Sequence, residues 1–316
     1  MEVNKAPKGL IVDLITPLDD KGDIDDDGLD SLLKNVLPHA DAVLLASPQM
    51  GEGSGLGLKL KTDLLKKATA FIQGRLPIFL WISEDSVEST KKMLALLEDL
   101  LESYNYKGEV FWLDSPLFYH SNRGLYEHYQ DLTLNTKYPF VLYNDPGLIN
   151  MLERPLKRCN IRTSILKNLT EIGKIKGLIF RGSLTRVNNF QKALNHRLDF
   201  RVYDGDEDRF LEYPSMSGVL SIGANVAPQI WNKVTRASLG MFEEDRKKKD
   251  YLHQIWEMGK LLKDLRQMYI PNPVWIIKKS LVDLNIIDFH ACTSITQPFV
   301  EEENHLAEFI LKHNID

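Results

Sequence analysis

The 316-residue chain has little cysteine, no long hydrophobic run and no excess of one charge sign. Cys159 and Cys292 are its only thiols; His290 lies near Cys292, but no second ligand pair follows at zinc-site spacing, so both read as reduced. No apolar run reaches the roughly 18 to 20 residues that a membrane-spanning helix needs. The opening MEVNKAPKGLIVDLITPLDD turns acidic before a signal-peptide pattern is complete, so the expectation is a cytoplasmic protein with no membrane partner. The eight histidines form neither HExxH nor HxH, and no metal or cofactor is expected. A net charge of -5 creates no field for nucleic acid, and the strongest basic run, Arg246 to Lys249, follows Glu243 and Glu244 as a solvated helix face would. The glycines of GEGSGLG, from Gly51, lack the Lys-Ser/Thr pair of a phosphate loop and do not space as GxGxxG, so they read as a flexible loop after a strand.

What is present is an ordinary globular composition, 43% hydrophobic and 26% charged, ordered as an alternation. Eight short β-rich runs recur: GLIVDLITPL from Gly9, DAVLLASP from Asp41, PIFLWIS from Pro77, EVFWLDSP from Glu109, PFVLYND from Pro139, GLIFRG from Gly177, FRVYDGD from Phe200 and GVLSIGA from Gly218. Between them lie stretches such as SVESTKKMLALLEDLLESY, whose leucines recur on one helical face. Nearly continuous apolar strands suit a parallel sheet covered on both faces, and eight βα units fit a closed (β/α)8 TIM barrel better than a doubly wound sheet. The expected organisation is an α/β barrel over residues 1–229 followed by a helical C-terminal extension over 230–316.

The order of several passages resembles the dihydrodipicolinate synthase and N-acetylneuraminate lyase superfamily across nearly the whole chain. They are GLIVDLITPL, the GEG after strand two, SPLFYHSNRGLYEHY after strand four, YNDPG at strand five, GVLSIGANVAP at strand eight and NPVWIIKKSL near the C-terminus. The resemblance implies a barrel with C-terminal helices, usually assembled as a dimer of dimers and acting on pyruvate or another 2-oxo acid. It also implies a sixth-strand lysine that forms an imine with the keto carbon. A fifth-strand tyrosine relays protons, a hydroxyl pair before Gly-Glu holds the carboxylate, and an arginine after Tyr-Asn helps with a second substrate.

Position by position, the resemblance keeps the tyrosine as Tyr143 and loses most of the rest. Ile179 stands where the imine lysine belongs, and isoleucine has no nitrogen to condense with a ketone. Lys174 and Lys176 are close in sequence, but alternation that turns Gly177, Ile179 and Arg181 inward turns both lysines outward. The hydroxyl pair becomes Gln49 and Met50, the arginine becomes Leu148, and the second relay tyrosine falls on Phe118 with Tyr119 adjacent. Trp81 and Ile82 replace small residues after strand three and are expected to narrow the pocket.

New polar groups stand nearby. Asp13 interrupts IVDLIT, where it either pairs with Arg181 across the barrel or turns to a helix and bonds backbone. Arg181 suits a carboxylate ligand. Asp206 and Glu207 resemble the sugar contacts of the sialic acid lyase branch, although an acidic helix cap is the preferred reading.

The candidate ligand-binding set is therefore Arg181, Gln49, Met50, Asp13 and Asp206, with Tyr143 and Ile179 at the former catalytic positions. The preferred expectation is a barrel without Schiff-base activity that binds a small 2-oxo acid or other carboxylate, or serves as a structural subunit. It would assemble with itself as a dimer or tetramer, or with an active paralogue. The rival is an active pyruvate-dependent lyase or aldolase with a relocated catalytic group. The apolar loop at Leu117 and Phe118 is the expected subunit contact, or else a lid over the chain's own barrel.

Overall fold

Eight parallel strands close on themselves in sequence order: β1 (Gly9–Asp13), β2 (Ala42–Leu45), β3 (Ile78–Trp81), β4 (Val110–Asp114), β5 (Phe140–Asn144), β6 (Ile175–Phe180), β7 (Arg201–Asp204) and β8 (Gly218–Ser221). β1 pairs with β8, Ile11 opposite Leu220, which removes both sheet edges. The computed structural model describes residues 5–154, 158–197, 199–215, 217–241, 250–294, 296 and 305–315; the basic run at 246–249 lies outside them.

The linking helices are α1 (Asp26–Val36), α2 (Leu58–Ile72), α3 (Val87–Ser103), the short α4 (Pro116–Tyr119), α5 (Leu125–Leu134), the short α6 (Pro146–Asn150), α7 (Thr163–Leu169), α8 (Leu184–Leu194) and α9 (Glu207–Glu212). Local chemistry starts them. Asp25 caps α1 by accepting from Gly28 N at 3.1 Å, ahead of the acidic pair Asp26 and Asp27, and Ser86 caps α3 through Ser89 N at 3.1 Å. After β8 a single 3-10 turn leads into α10 (Pro228–Ser238), which packs on β1 and β8 as the eighth barrel helix. The boundary expected at 229 falls inside α10.

Alternation along each strand divides the apolar residues into two cores. Leu10, Val12, Leu80, Ile82, Leu178 and Phe180 belong to the layer under the helices. Ile11, Phe79, Trp81, Phe111, Ile179 and Tyr203 fill the barrel interior. Phe79 lies 5.2 Å from Phe111 and 6.2 Å from Tyr203 between ring centroids, and the Tyr203 hydroxyl donates to the Pro7 carbonyl. The interior below the mouth is thus packed with aromatic rings. Ile82, expected to narrow the pocket with Trp81, instead faces the helices, because neighbours on a strand point to opposite sides.

The C-terminal extension is helical: α11 (Tyr251–Tyr269), α12 (Pro273–Asp283) and α13 (Leu306–Lys312). A buried ion pair pins it to the glycine-rich segment. Lys278 Nζ on α12 contacts Glu52 Oε2 with both side chains fully inaccessible, and it also donates to the Ala291 carbonyl at 2.6 Å. Thr293 N donates to Glu52 Oε1 at 2.7 Å. The segment read as flexible is therefore tied down. Gly51 N donates to Ser47 Oγ at 2.7 Å, Gly53 leaves no room for a Cβ against the Ala46 carbonyl, and Glu52 takes a left-handed φ of 59°.

Candidate functional site at the barrel mouth

The strand C-termini open into a cleft lined by Asp13, Met50, Arg181, Gly205, Glu207 and Arg266, with Leu220 and Ile222 beside them. It holds about 300 Å³ of open space, narrow enough to suit a ligand of a few heavy atoms.

Aromatic and aliphatic side chains close the neighbouring part of the mouth. Tyr143 on β5 is buried, with Trp81 edge-on at 5.7 Å and Leu148 and Ile179 in the same cluster. Phe118, from α4, reaches Trp81 at 6.5 Å. Leu117 is thus taken up by its own barrel at 2% exposure, whereas Phe118 packs on Trp81 and stays partly exposed. Burial pushes the Tyr143 phenol well above its ordinary pKa, and the charge of Arg181 offsets this only in part. A phenol so placed is a hydrogen-bond donor rather than a base. Its hydroxyl points to Asp145 Oδ2 at 3.5 Å.

Arg181 follows β6 and turns into the mouth, where its stem occupies the space a Cβ on Gly205 would need, 2.5 Å from Arg181 Cγ. Its nearest carboxylate is Asp145 Oδ2, at 3.8 Å from Nε. Asp145 is shared, since its other oxygen caps α6 through Gly147 N at 2.8 Å. Of the two placements open for Asp13, the one toward Arg181 is nearer the structure, but the two act on each other by charge without an ion pair, and the carboxylate contact of Arg181 is the looser one to Asp145.

Asp13 faces the barrel mouth, 4% exposed, and its Oδ1 has no hydrogen-bond partner among the described residues. Burial raises its pKa from 3.8 to about 7; the Ser47 hydroxyl and the Arg181 charge pull it back only in part, and the nearby Glu207 charge pushes it further up.

Glu207, by contrast, is saturated. Its Oε1 accepts from Ser221 Oγ at 2.6 Å and Gly223 N at 2.9 Å, and its Oε2 accepts from Tyr269 at 2.7 Å and lies 3.4 Å from Arg266 Nε. Arg266 also pairs with Asp208. This network ties α11 to the rim of the barrel.

Of the residues expected at the site, Asp13, Met50 and Arg181 line the cleft together, with Tyr143 and Ile179 in the aromatic wall. Gln49 and Asp206 are not brought there. Gln49 turns outward to Met151 Sδ at 3.2 Å, because the strand-end turn that seats Met50 inward sends its neighbour out. Asp206 caps α9, accepting from Arg209 N at 3.1 Å. Tyr119 also leaves the mouth, donating to the buried Asp114 at 2.8 Å. Lys174 donates to the Thr133 carbonyl at 2.8 Å, and Lys176 sits near Asp199 and Arg197, ahead of β7. Neither lines the cleft. Sequence reasoning missed Arg266, Tyr269 and Asp145, whose approach depends on how α11 and α6 dock. Among the described residues no helix is long and apolar enough to cross a membrane.

Comparison with known proteins gives one consistent result. A sequence model of the dihydrodipicolinate synthetase family matches residues 6–310. The 4-hydroxy-tetrahydrodipicolinate synthase of Sodalis glossinidius is 29% identical over 224 residues, covering 69% of this chain and 71% of that protein. A dihydrodipicolinate synthase structure from Bacillus anthracis superposes with a TM-score of 0.78 at 17% identity, covering 98% of this chain and 99% of the other. The chloride-inhibited, pyruvate-complexed enzyme of Acinetobacter baumannii gives 0.74 at 22% identity, covering 98% and 100%. At these identities the superpositions establish the fold.

Proposed function

Because this chain belongs to the dihydrodipicolinate synthetase family, we propose that it is a member without imine chemistry that binds a small carboxylate, such as a 2-oxo acid, at the mouth of its barrel. The observation that carries this reading is Ile179, fully buried in the barrel interior where the family resemblance puts the imine lysine, with no lysine among the described residues that line the cleft. Without an amine there is no covalent electron sink for the keto carbon. Arg181 supports the binding half of the proposal. Its planar fork remains cationic at any physiological pH and offers donors in the geometry a carboxylate accepts, while Asp145 engages it only at 3.8 Å.

The names of the relatives favour a second reading, an active pyruvate-dependent lyase with a relocated catalytic group. One experiment separates the two. Incubation with pyruvate and borohydride leaves the intact mass unchanged under the first reading, whereas a reduced adduct on a single lysine overturns it. Pyruvate should meanwhile raise the melting temperature, since a ligand that binds only the folded state stabilises it by mass action. Self-association as a dimer or tetramer, with the partly exposed Phe118 as a candidate contact, belongs to the same reading, and sedimentation at micromolar concentration tests it.

A further inference from the structure

We infer that the barrel mouth takes up its carboxylate together with one proton: Asp13 meets the ligand as an uncharged carboxyl group whose hydroxyl donates to the bound anion, beside the guanidinium of Arg181. The inference rests on the carboxylate-binding reading above and specifies how that site is regulated.

The argument begins with uncommitted hydrogen-bonding capacity. A buried carboxyl oxygen with no partner costs free energy and is satisfied when a ligand supplies one. Asp13 Oδ1 is such an atom, and its side chain lines the cleft. The other carboxylate of the cleft, Glu207, already accepts from Ser221, Gly223 and Tyr269 and lies against Arg266. Arg266 is in turn occupied by Glu207 and Asp208. Arg181 is the least committed cation: it donates to the Tyr143 hydroxyl, but no carboxylate oxygen lies closer than 3.8 Å, so its fork keeps donors to spare. Asp13 and Arg181 are therefore the two lining groups with capacity left for a ligand.

Charge then selects the protonation state. The charged and titratable groups acting on Asp13 come from three directions: Arg181 after β6, with Tyr143 of β5 beside it; Glu207 at the start of α9; and Arg266 of α11. The loop after β2 brings only Ser47 and Met50, and the β8 side brings Leu220 and Ile222. Two ionised carboxylates in so small a cleft repel each other, and a third on the ligand would add to this. Protonation of Asp13 removes one charge and creates an O–H donor, while a carboxylate held on Arg181 offers the acceptor it lacks. Burial already holds the Asp13 pKa near 7, so this proton is within reach at neutral pH. An ammonium ligand would require the opposite, an ionised Asp13, but it would then lie beside the Arg181 guanidinium.

The test is calorimetric titration of the full chain with pyruvate at pH 6 and pH 8, each in two buffers of different ionisation enthalpy, with propylamine as the cationic probe. The expected result is binding about tenfold weaker at pH 8 than at pH 6, as follows for a group with a free pKa of about 7 that binds protonated, with close to one proton taken up at pH 8. In Asp13→Asn the proton uptake should vanish and the affinity should become nearly independent of pH. Pyruvate binding of equal strength at both pH values, with no proton uptake in the parent protein, overturns the inference and leaves the carboxylate-binding reading standing. Binding of propylamine in place of pyruvate, or of neither probe, overturns both.

Discussion

The indole of Trp81 stands edge-on to the ring of Tyr143, their centroids 5.7 Å apart and their planes at 89°. This pair, with Leu148 and Phe118, occupies the space above Ile179, so restoring an amine at position 179 does not restore a site. The Ile179→Lys variant is expected to remain at background turnover with pyruvate, since positioning contributes several kcal/mol of the barrier and little here holds a substrate over the new amine. The buried ammonium should also cost stability. A depression of about three pKa units corresponds to roughly 4 kcal/mol at neutral pH, measurable by denaturant unfolding. Efficient turnover by this single variant would show that the mouth is more open than the Trp81–Tyr143 contact implies.

The fully buried Glu52–Lys278 pair joins segments 226 residues apart in sequence. Glu52→Gln leaves the Lys278 ammonium buried without its counter-charge and is expected to cost about 3–5 kcal/mol in urea unfolding. Combining it with Lys278→Met removes the orphaned charge and should recover at least half of that loss. If the single variant costs less than about 1 kcal/mol, the pair does not pin the C-terminal extension to the barrel.

Residues that face along strands were legible from sequence, and residues that meet through helix docking were not. Alternation was enough to turn Ile179 inward and Leu178 and Phe180 outward, whereas a register shift between Phe140 and Val141 breaks the period at Lys176 and puts Ile175 under the helices. The same rule separates Trp81, which faces the barrel interior, from Ile82, which faces the helices. Asp13 was conspicuous as a charge inside an apolar run, but its pairing with Arg181 was a guess about distances across the barrel that sequence does not encode. Glu207 reads as a helix cap beside Asp206; its role as the acceptor for Tyr269 depends on α11 docking against α9. Glu52 sat in a glycine-rich string that reads as slack, and only its left-handed backbone and the distant Lys278 show it to be an anchor.

Asp13 should also leave its mark on stability in the absence of ligand. Its folded-state pKa, about 7, lies above the ordinary 3.8, so the folded protein holds a proton that the unfolded chain releases between these values. The stabilising contribution is therefore fully present below about pH 4 and is lost as pH rises through 7. The full shift corresponds to roughly 4 kcal/mol. Asp13→Asn cannot ionise, so relative to the parent it should gain roughly 1.5 kcal/mol at pH 5 and nearly the full amount at pH 8, with melting temperatures at the two values as the readout. A variant that tracks the parent at both would mean that solvent reaches Asp13 and the cleft is not dry.

The strongest separation of site from scaffold comes from two cations at opposite ends of β6. Arg181 points into the cleft with its stem against Gly205, whereas Lys176 lies near Asp199 and Arg197 and does not line the cleft. Arg181→Met keeps nearly the same volume and removes the guanidinium, so the rise in melting temperature produced by pyruvate in the parent should disappear. Lys176→Met removes one positive charge from the same strand region and should leave that rise intact. Gly205→Ala adds a third arm: its methyl group needs the space of Arg181 Cγ, so it should displace the arginine and weaken the shift without altering any charge. A ligand-induced shift that survives both Arg181→Met and Gly205→Ala would place the carboxylate elsewhere on the protein.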